Sequence, residues 1–250
     1  DIDVACITTP HETHFNFAKK AIELSLPVWI EKPLVISNKE LIAIKKEMLS
    51  KKLVYHIGYN RSLAPWTNFI KNKIDSKKIN VKMTINAGKL PAEHYLLNEN
   101  VCGGRIIGEF CHFVDLMLTL LGHTKIINVE CVDRDRYFQD TGSYIFKFED
   151  GSTANINYRH DLPASIPKEK ITVEVSNSMY VNNNWKKFSN GKIFNFDLVK
   201  KGKGHDEAIA SFFDNVKNDN FSTEKEINAM CFSTYISIKL QKMSKGEVLN

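Results

Sequence analysis

Two stretches of this 250-residue chain carry residue types suited to proton chemistry at an oxygen atom. The first, Ile30-Glu31-Lys32-Pro33, ends an apolar run with a lysine, and the following proline bars Lys32 from the αR region, so the chain turns there. A lysine in a partly desolvated cleft has a lowered pKa and either polarises an oxygen or relays a proton. The second stretch runs from Gly103-Gly104-Arg105 through Glu109 to His112 and Asp115. Histidine titrates near neutrality without help. At roughly 100° per residue, Ile106, Ile107, Phe110, Phe113, Val114, Met117, Leu118 and Leu121 share one arc of a helix. Arg105, Gly108, Glu109, His112, Asp115 and Thr119 fall opposite. One face is expected to pack and the other to be free for chemistry.

These stretches must be held by a scaffold, and the first part of the chain supplies an alternating one. Val4-Ala5-Cys6-Ile7 reads as a strand ended by Thr8-Thr9-Pro10, and apolar positions from His14 to Leu26 recur at helical spacing. Val28-Trp29-Ile30 repeats the strand, Ser37-Asn38 caps a helix through about Leu49 with Glu40 near its start, and Val54 to Ile57 closes the series. Strand, helix, strand, helix, strand implies parallel pairing, the C-terminal half of a doubly wound α/β sheet.

After Gly58 the pattern changes. A helix over 65–74 and a strand over 81–87 precede an irregular stretch to Asn100, and the Gly-Gly-headed helix ends at Gly122. Strands are expected over 126–132, 143–148, 153–158, 171–175 and 179–181, separated by turns such as Glu149-Asp150-Gly151. They suit an open, largely antiparallel sheet in an α+β unit. Two helices follow, over 205–216 and 225–243, after a glycine-lysine loop at 200–204 that is expected to be mobile. The division is residues 1–57 and residues 58–250.

Composition narrows the function classes. With 43% hydrophobic and 25% charged residues the chain can bury a core. The formal charge of +5 is dispersed, without a dense basic block, which argues against nucleic acid. Five cysteines without a C-x-x-C pair indicate free thiols in a reducing compartment, with the cytoplasm as default, and Cys102 and Cys111 read as packing. No apolar run approaches the roughly 20 residues of a membrane span. A zinc hydrolase fails on ligands: H-x-x-x-H and H-E-x-x-H spacings are absent, and no metal is expected.

Thr9-Pro10-His11-Glu12-Thr13-His14, Glu31-Lys32-Pro33, Gly58-Tyr59-Asn60-Arg61, and Gly103-Gly104 with His112 and Asp115 resemble, in that order, the Gfo/Idh/MocA family of NAD(P)-dependent oxidoreductases. Asn86 to Pro91, Glu93-His94 and Arg105 to Glu109 resemble the branch in which this module follows an alcohol-dehydrogenase-like one. The resemblance implies a Rossmann domain followed by an α/β domain whose open sheet mediates homo-oligomers, with NAD or NADP between them. Thr8, Thr9, Pro10, His14, Glu31, Lys32 and Pro33 would line the cofactor, with Lys32 beside the nicotinamide and the substrate hydroxyl. His112 matches the catalytic histidine. The family's usual aspartate, four residues earlier, is here Gly108, and the G-x-G-x-x-G fingerprint is absent because the chain opens at the family's fourth strand. The 250 residues alone are therefore expected to bind the dinucleotide poorly, to be inactive, and to cover the edge at Val4 by self-association.

Moving a hydride between nicotinamide and a secondary alcohol requires a proton at the same oxygen. His112 is assigned as general acid/base and Lys32 as its polarising partner. Glu109 stands in for the aspartate by orienting the imidazole, or is a solvated helical carboxylate. Tyr59, Asn60, Arg61 and Arg105 are assigned to a small hydroxy or carbonyl substrate. Arg61 also reads as an ion-pair partner, and Arg105 as an exposed side chain. The leading function is a dehydrogenase or reductase of a sugar or polyol; the rival is a non-catalytic assembly or ligand-binding module of a larger protein.

Overall fold

In a computed structural model, residues 2–74, 78–122, 124–134, 141–190 and 200–246 are described. The first unit is β1 (Ala5–Ile7), α1 (His14–Glu23), β2 (Val28–Ile30), α2 (Asn38–Ser50) and β3 (Tyr55–Ile57). The strands form a parallel sheet in the order β1-β2-β3. Parallel sheets need cover on both faces. Here Val28 and Ile30 are fully buried with Ala18 and Ile22 of α1 and Ile44 and Met48 of α2. Ser37 caps α2 as its type predicts: its hydroxyl accepts from the Glu40 amide at 3.3 Å.

The second unit contains α3 (Pro65–Ile74), β4 (Ile79–Asn86), the short α4 (Glu99–Cys102), α5 (Cys111–Leu120), β5 (Ile126–Arg134), β6 (Gly142–Phe148), β7 (Thr153–Arg159), β8 (Glu169–Val175), β9 (Ser178–Asn183), β10 (Lys187–Ser189), α6 (His205–Lys217) and α7 (Glu224–Ser244). Its seven strands lie in the order β10-β9-β8-β4-β7-β6-β5. Only β4 and β7 pair in parallel; the other neighbours are antiparallel. Alternation sets the faces: Ile79, Val81, Met83 and Ile85 point into the core at 1% exposure each. The sequence pattern finds the strands to within about two residues but misses β10, which has a single apolar anchor, Phe188.

A boundary at residues 57 and 58 separates the two sheets but not the two cores. α7 places Ile227, Cys231 and Ile238 in the core of the first unit, and Ile236 and Leu240 in that of the second.

The Gly-Gly-headed segment departs from expectation. It is not one regular helix: a π-helical segment, Ile106–Phe110, precedes α5. A π turn holds more than 3.6 residues, so a uniform 100° wheel loses register across it. The supposed free face is mostly covered, since Arg105 is 1% and Asp115 7% exposed. The Ile106 amide donates to Gln241 Oε1 of α7 at 3.1 Å. Ile107 and Cys111 sit in the core of the first unit and Ile106, Phe110 and Phe113 in that of the second, which explains why both faces pack.

Candidate active site

Lys32 and His112 both stand half-buried, at the seam between the sheets. Lys32 follows β2, and the carboxyl ends of parallel strands are where open α/β sheets bind ligands. Its ammonium donates to the Gly108 carbonyl in the π segment at 2.5 Å. The bond fixes Lys32 against the helix that carries His112.

The loops behind Lys32 are tied together by His14, which is fully buried. Its Nδ1 lies 2.8 Å from the Pro33 carbonyl and its Nε2 2.9 Å from that of Thr9. His14, expected to line the cofactor, thus builds the ledge from inside. Thr8 and Pro10 are exposed, Thr9 and Glu31 half-buried and Pro33 buried. The Glu31 carboxylate lies against Gly58, where an added Cβ would stand 2.7 Å from Oε2.

His112 sits at the start of α5 with the Tyr59 ring edge-on at 6.4 Å. Its Nδ1 is buried without a hydrogen-bond partner. Burial, then the charges of Arg61, Lys32 and Lys203, hold its pKa well below the ordinary histidine value. At neutral pH the ring is a neutral base.

Glu109 does not orient that ring. Its Oε2 accepts from Arg105 Nε at 3.0 Å and from the Tyr158 hydroxyl at 2.6 Å. The π segment turns the carboxylate toward β7. Arg105, expected at the substrate or in solvent, also donates to the Ala87 and Gly88 carbonyls, both at 2.9 Å. It is a buried clamp between β4, β7 and the π segment.

Tyr59, Asn60 and Arg61 are likewise buried and engaged within the protein. The Tyr59 hydroxyl is 3.0 Å from Thr234 Oγ1 of α7. Asn60 Nδ2 donates to the Lys203 carbonyl at 2.8 Å. Arg61 makes a bidentate pair with Glu169, Nε to Oε2 at 2.9 Å and Nη2 to Oε1 at 2.8 Å, the ion-pair alternative of its two readings.

Glu169 escaped the sequence reading. It is 1% exposed and also accepts from Lys203 Nζ and Trp185 Nε1, each at 2.6 Å. Burial alone would raise its pKa, but Arg61 and Lys203 bring it to about 2. The pair draws the 200–204 loop onto the site, so the loop expected to be mobile is pinned. Gly204 completes the seal: it has φ +89°, and a Cβ would meet the Asn60 carbonyl oxygen at 2.2 Å.

Asp115, three residues after His112, accepts from Ser233 at 2.8 Å and from Ser62 through a short hydrogen bond. Burial pushes its pKa up to about 6. It lines a cleft of about 650 Å³ with Tyr59, Ser62 and Thr119, and neither Lys32 nor His112 lines that cleft. Cys102 and Cys111 are buried free thiols, as packing residues should be. Among the described residues no group of three or more His, Cys, Asp or Glu is placed to hold a metal, and no helix is long and apolar enough to cross a membrane.

Residues 1–59 match the family model described as "Oxidoreductase family, NAD-binding Rossmann fold". Those residues are thus similar to the Gfo/Idh/MocA oxidoreductases. The chain is 26% identical over 184 residues to the scyllo-inositol 2-dehydrogenase (NAD(+)) of Bacillus subtilis, covering 66% of this chain and 52% of that protein. It is 25% identical over 150 residues to an inositol 2-dehydrogenase of Rhizobium meliloti, covering 58% and 44%. The chain thus spans about half the length of the curated relatives it matches. Its fold is similar to that of an oxidoreductase from Thermotoga maritima, with TM-score 0.82 and 17% identity over 99% of this chain and 78% of the other. An inositol dehydrogenase homologue from Azotobacter vinelandii, solved with NAD+, gives 0.78 and 17% over 99% and 77%. The expected architecture, a Rossmann-type parallel sheet followed by a mixed, mostly antiparallel one, is therefore shared with these structures.

The residues present fit one end of a nicotinamide dinucleotide. The ledge built by His14 at the ends of β1 and β2, with a lysine donor and the half-buried His112 imidazole beyond it, suits the ring end. The sequence contains no G-x-G-x-x-G to supply the backbone amides that hold a pyrophosphate.

Proposed function

We propose that this chain carries the reacting end of an NAD(P)-dependent oxidoreductase acting on a secondary hydroxyl or carbonyl group of a polyol, sugar or related compound. The observation that carries this reading is the pairing at one seam of a donor, Lys32 Nζ fixed at 2.5 Å on the Gly108 carbonyl, with an imidazole held neutral by burial. NAD or NADP, when bound, takes up or supplies the hydride. Thr8, Thr9, Pro10, Glu31, Lys32 and Pro33 would hold its nicotinamide end. Lys32 donates to the substrate oxygen and stabilises negative charge as the proton leaves. His112, whose Nδ1 is buried, takes that proton at Nε2 during oxidation and returns it during reduction.

The relatives named as inositol dehydrogenases support a cyclic polyol as substrate. Residues 1–57 then serve the cofactor and residues 58–250 the substrate and association between copies, in the cytoplasm. The test is a screen of the full protein with NAD and NADP against scyllo-inositol, myo-inositol and simple sugars, following reduced nicotinamide by absorbance. Turnover of at least one polyol is expected. Tight ligand binding without turnover would favour the rival module, which gains some support because Glu109 is committed to Arg105 and Tyr158.

A further inference from the structure

Lys32 and His11 reach Gly108 from different directions with complementary needs. The Lys32 ammonium donates to the Gly108 carbonyl, and among the described residues no carboxylate lies within ion-pair distance of it. An ammonium has three hydrogens, so donors remain to be placed. His11, on the 3₁₀ turn His11–Thr13, is 8% exposed, and its Nδ1 is buried without a partner. A Cβ at Gly108 would stand 2.8 Å from Leu96 Cδ2, 3.2 Å from His11 Cε1 and 3.5 Å from His11 Nδ1. The bare Cα of Gly108 thus lies against both Leu96 and the His11 ring, and a donor with hydrogens to spare and an acceptor without a partner flank one residue.

Buried polar groups are rarely left unpaired, and a lone acceptor costs the full desolvation penalty. Burial, with the charges of Lys32 and His14, brings the His11 pKa down to about 4, so near neutrality its ring accepts without repelling the lysine. The ring is steadied edge-on by His14 at 5.6 Å and Tyr95 at 6.0 Å between centroids.

We infer that His11 is a positioning residue for Lys32: its Nδ1, unpartnered while the ammonium sits on the Gly108 carbonyl, is a second seat with which the ammonium exchanges, and the two acceptors confine it beside the substrate oxygen. The inference rests on the reading of Lys32 as the polarising group. Neither seat is visible as a motif, because one is a backbone carbonyl and the other depends on the absence of a side chain at position 108.

The experiment has an arm that needs no substrate. In the ¹⁵N-labelled full chain, Lys32→Met should move the His11 Nδ1 resonance toward that of an unbonded ring nitrogen and leave the His56 ring unmoved. An unchanged His11 resonance overturns the inference. In turnover, His11→Leu should lower kcat about tenfold with the cofactor KM unchanged, and His11→Asn, which keeps an acceptor oxygen, should restore most of it. On a Lys32→Met background His11→Leu should cost nothing further; an equal loss in both backgrounds marks a merely structural role and overturns the assignment. Wild-type protein that turns over no polyol would strike the functional reading alone, and the NMR comparison would still decide this one.

Discussion

Lys32 and Gly108, separated by 76 positions, are joined by a hydrogen bond of 2.5 Å from Nζ to the carbonyl oxygen. It links the loop after β2 to the π segment that leads into α5. Because the acceptor is backbone, Lys32 reports the path of the π segment and not the identity of a side chain. The mechanism needs this fixed point, since a flexible lysine would lose rotamer entropy each time it met the substrate oxygen.

Replacing Lys32 or His112 by alanine in the complete protein should lower kcat by about 10²-fold or more, with modest change in cofactor KM. Steady-state kinetics with the best polyol from the screen provides the check. Unchanged turnover in both variants would remove the assignment.

The buried Glu169 should dominate the stability of the second unit. Glu169→Gln leaves Arg61 and Lys203 without their counter-charge and is expected to cost about 3–5 kcal/mol in urea unfolding at neutral pH. The folded pKa, about 2, lies below the ordinary carboxylate value of 4.5. The wild-type pair therefore contributes fully above about pH 4.5, and its contribution fades as pH falls toward 2. A variant as stable as wild type at pH 7 would contradict this.

The contrast between Ser37 and Glu169 shows what could be read ahead of the structure. Ser37 caps α2 through Glu40, three residues away, so local chemistry was enough. Arg61 meets Glu169 across 108 positions, and that meeting depends on β8 lying beside β4. Lys32 and His112 stood out because a proline and a glycine pair mark their segments. Glu109 was misplaced because its expected direction assumed a uniform helical angle through Ile106–Phe110, where the helix is π. Nor does spacing reveal that the bare Cα of Gly108 lies against Leu96 and His11.

His56 should govern part of the acid limb of stability. Its ring stacks on Trp29 at 4.2 Å, and burial lowers its pKa from 6.5 to about 4, with Nε2 left unpartnered. As pH falls between those values the unfolded chain takes the proton first, so stability falls by up to about 3 kcal/mol. His56→Phe retains a ring for Trp29 and has no proton to gain. Unfolding measured at pH 7 and pH 4.5 should show a smaller loss for the variant, and parallel losses would refute the attribution.

Asp115 should act with the opposite sign. Burial raises its pKa from 3.8 to about 6 despite the hydroxyls of Ser62 and Ser233. Between those values the folded state binds the proton and the unfolded chain releases it, so the term removes stability as pH rises. By pH 7 it amounts to about 3 kcal/mol relative to the fully protonated acid. Asp115→Asn keeps the shape and offers an amide to the two serines, whose hydroxyls can each donate or accept. Subtracting the variant's stability from the wild type's at each pH cancels the contributions of Glu169 and His56. The difference should fall by about 3 kcal/mol from pH 3.5 to pH 7, with its midpoint below 6. A flat difference would mean that the carboxylate is solvated well enough to keep its ordinary pKa, and that Ser62 and Ser233 serve only to cap the space between α5 and α7.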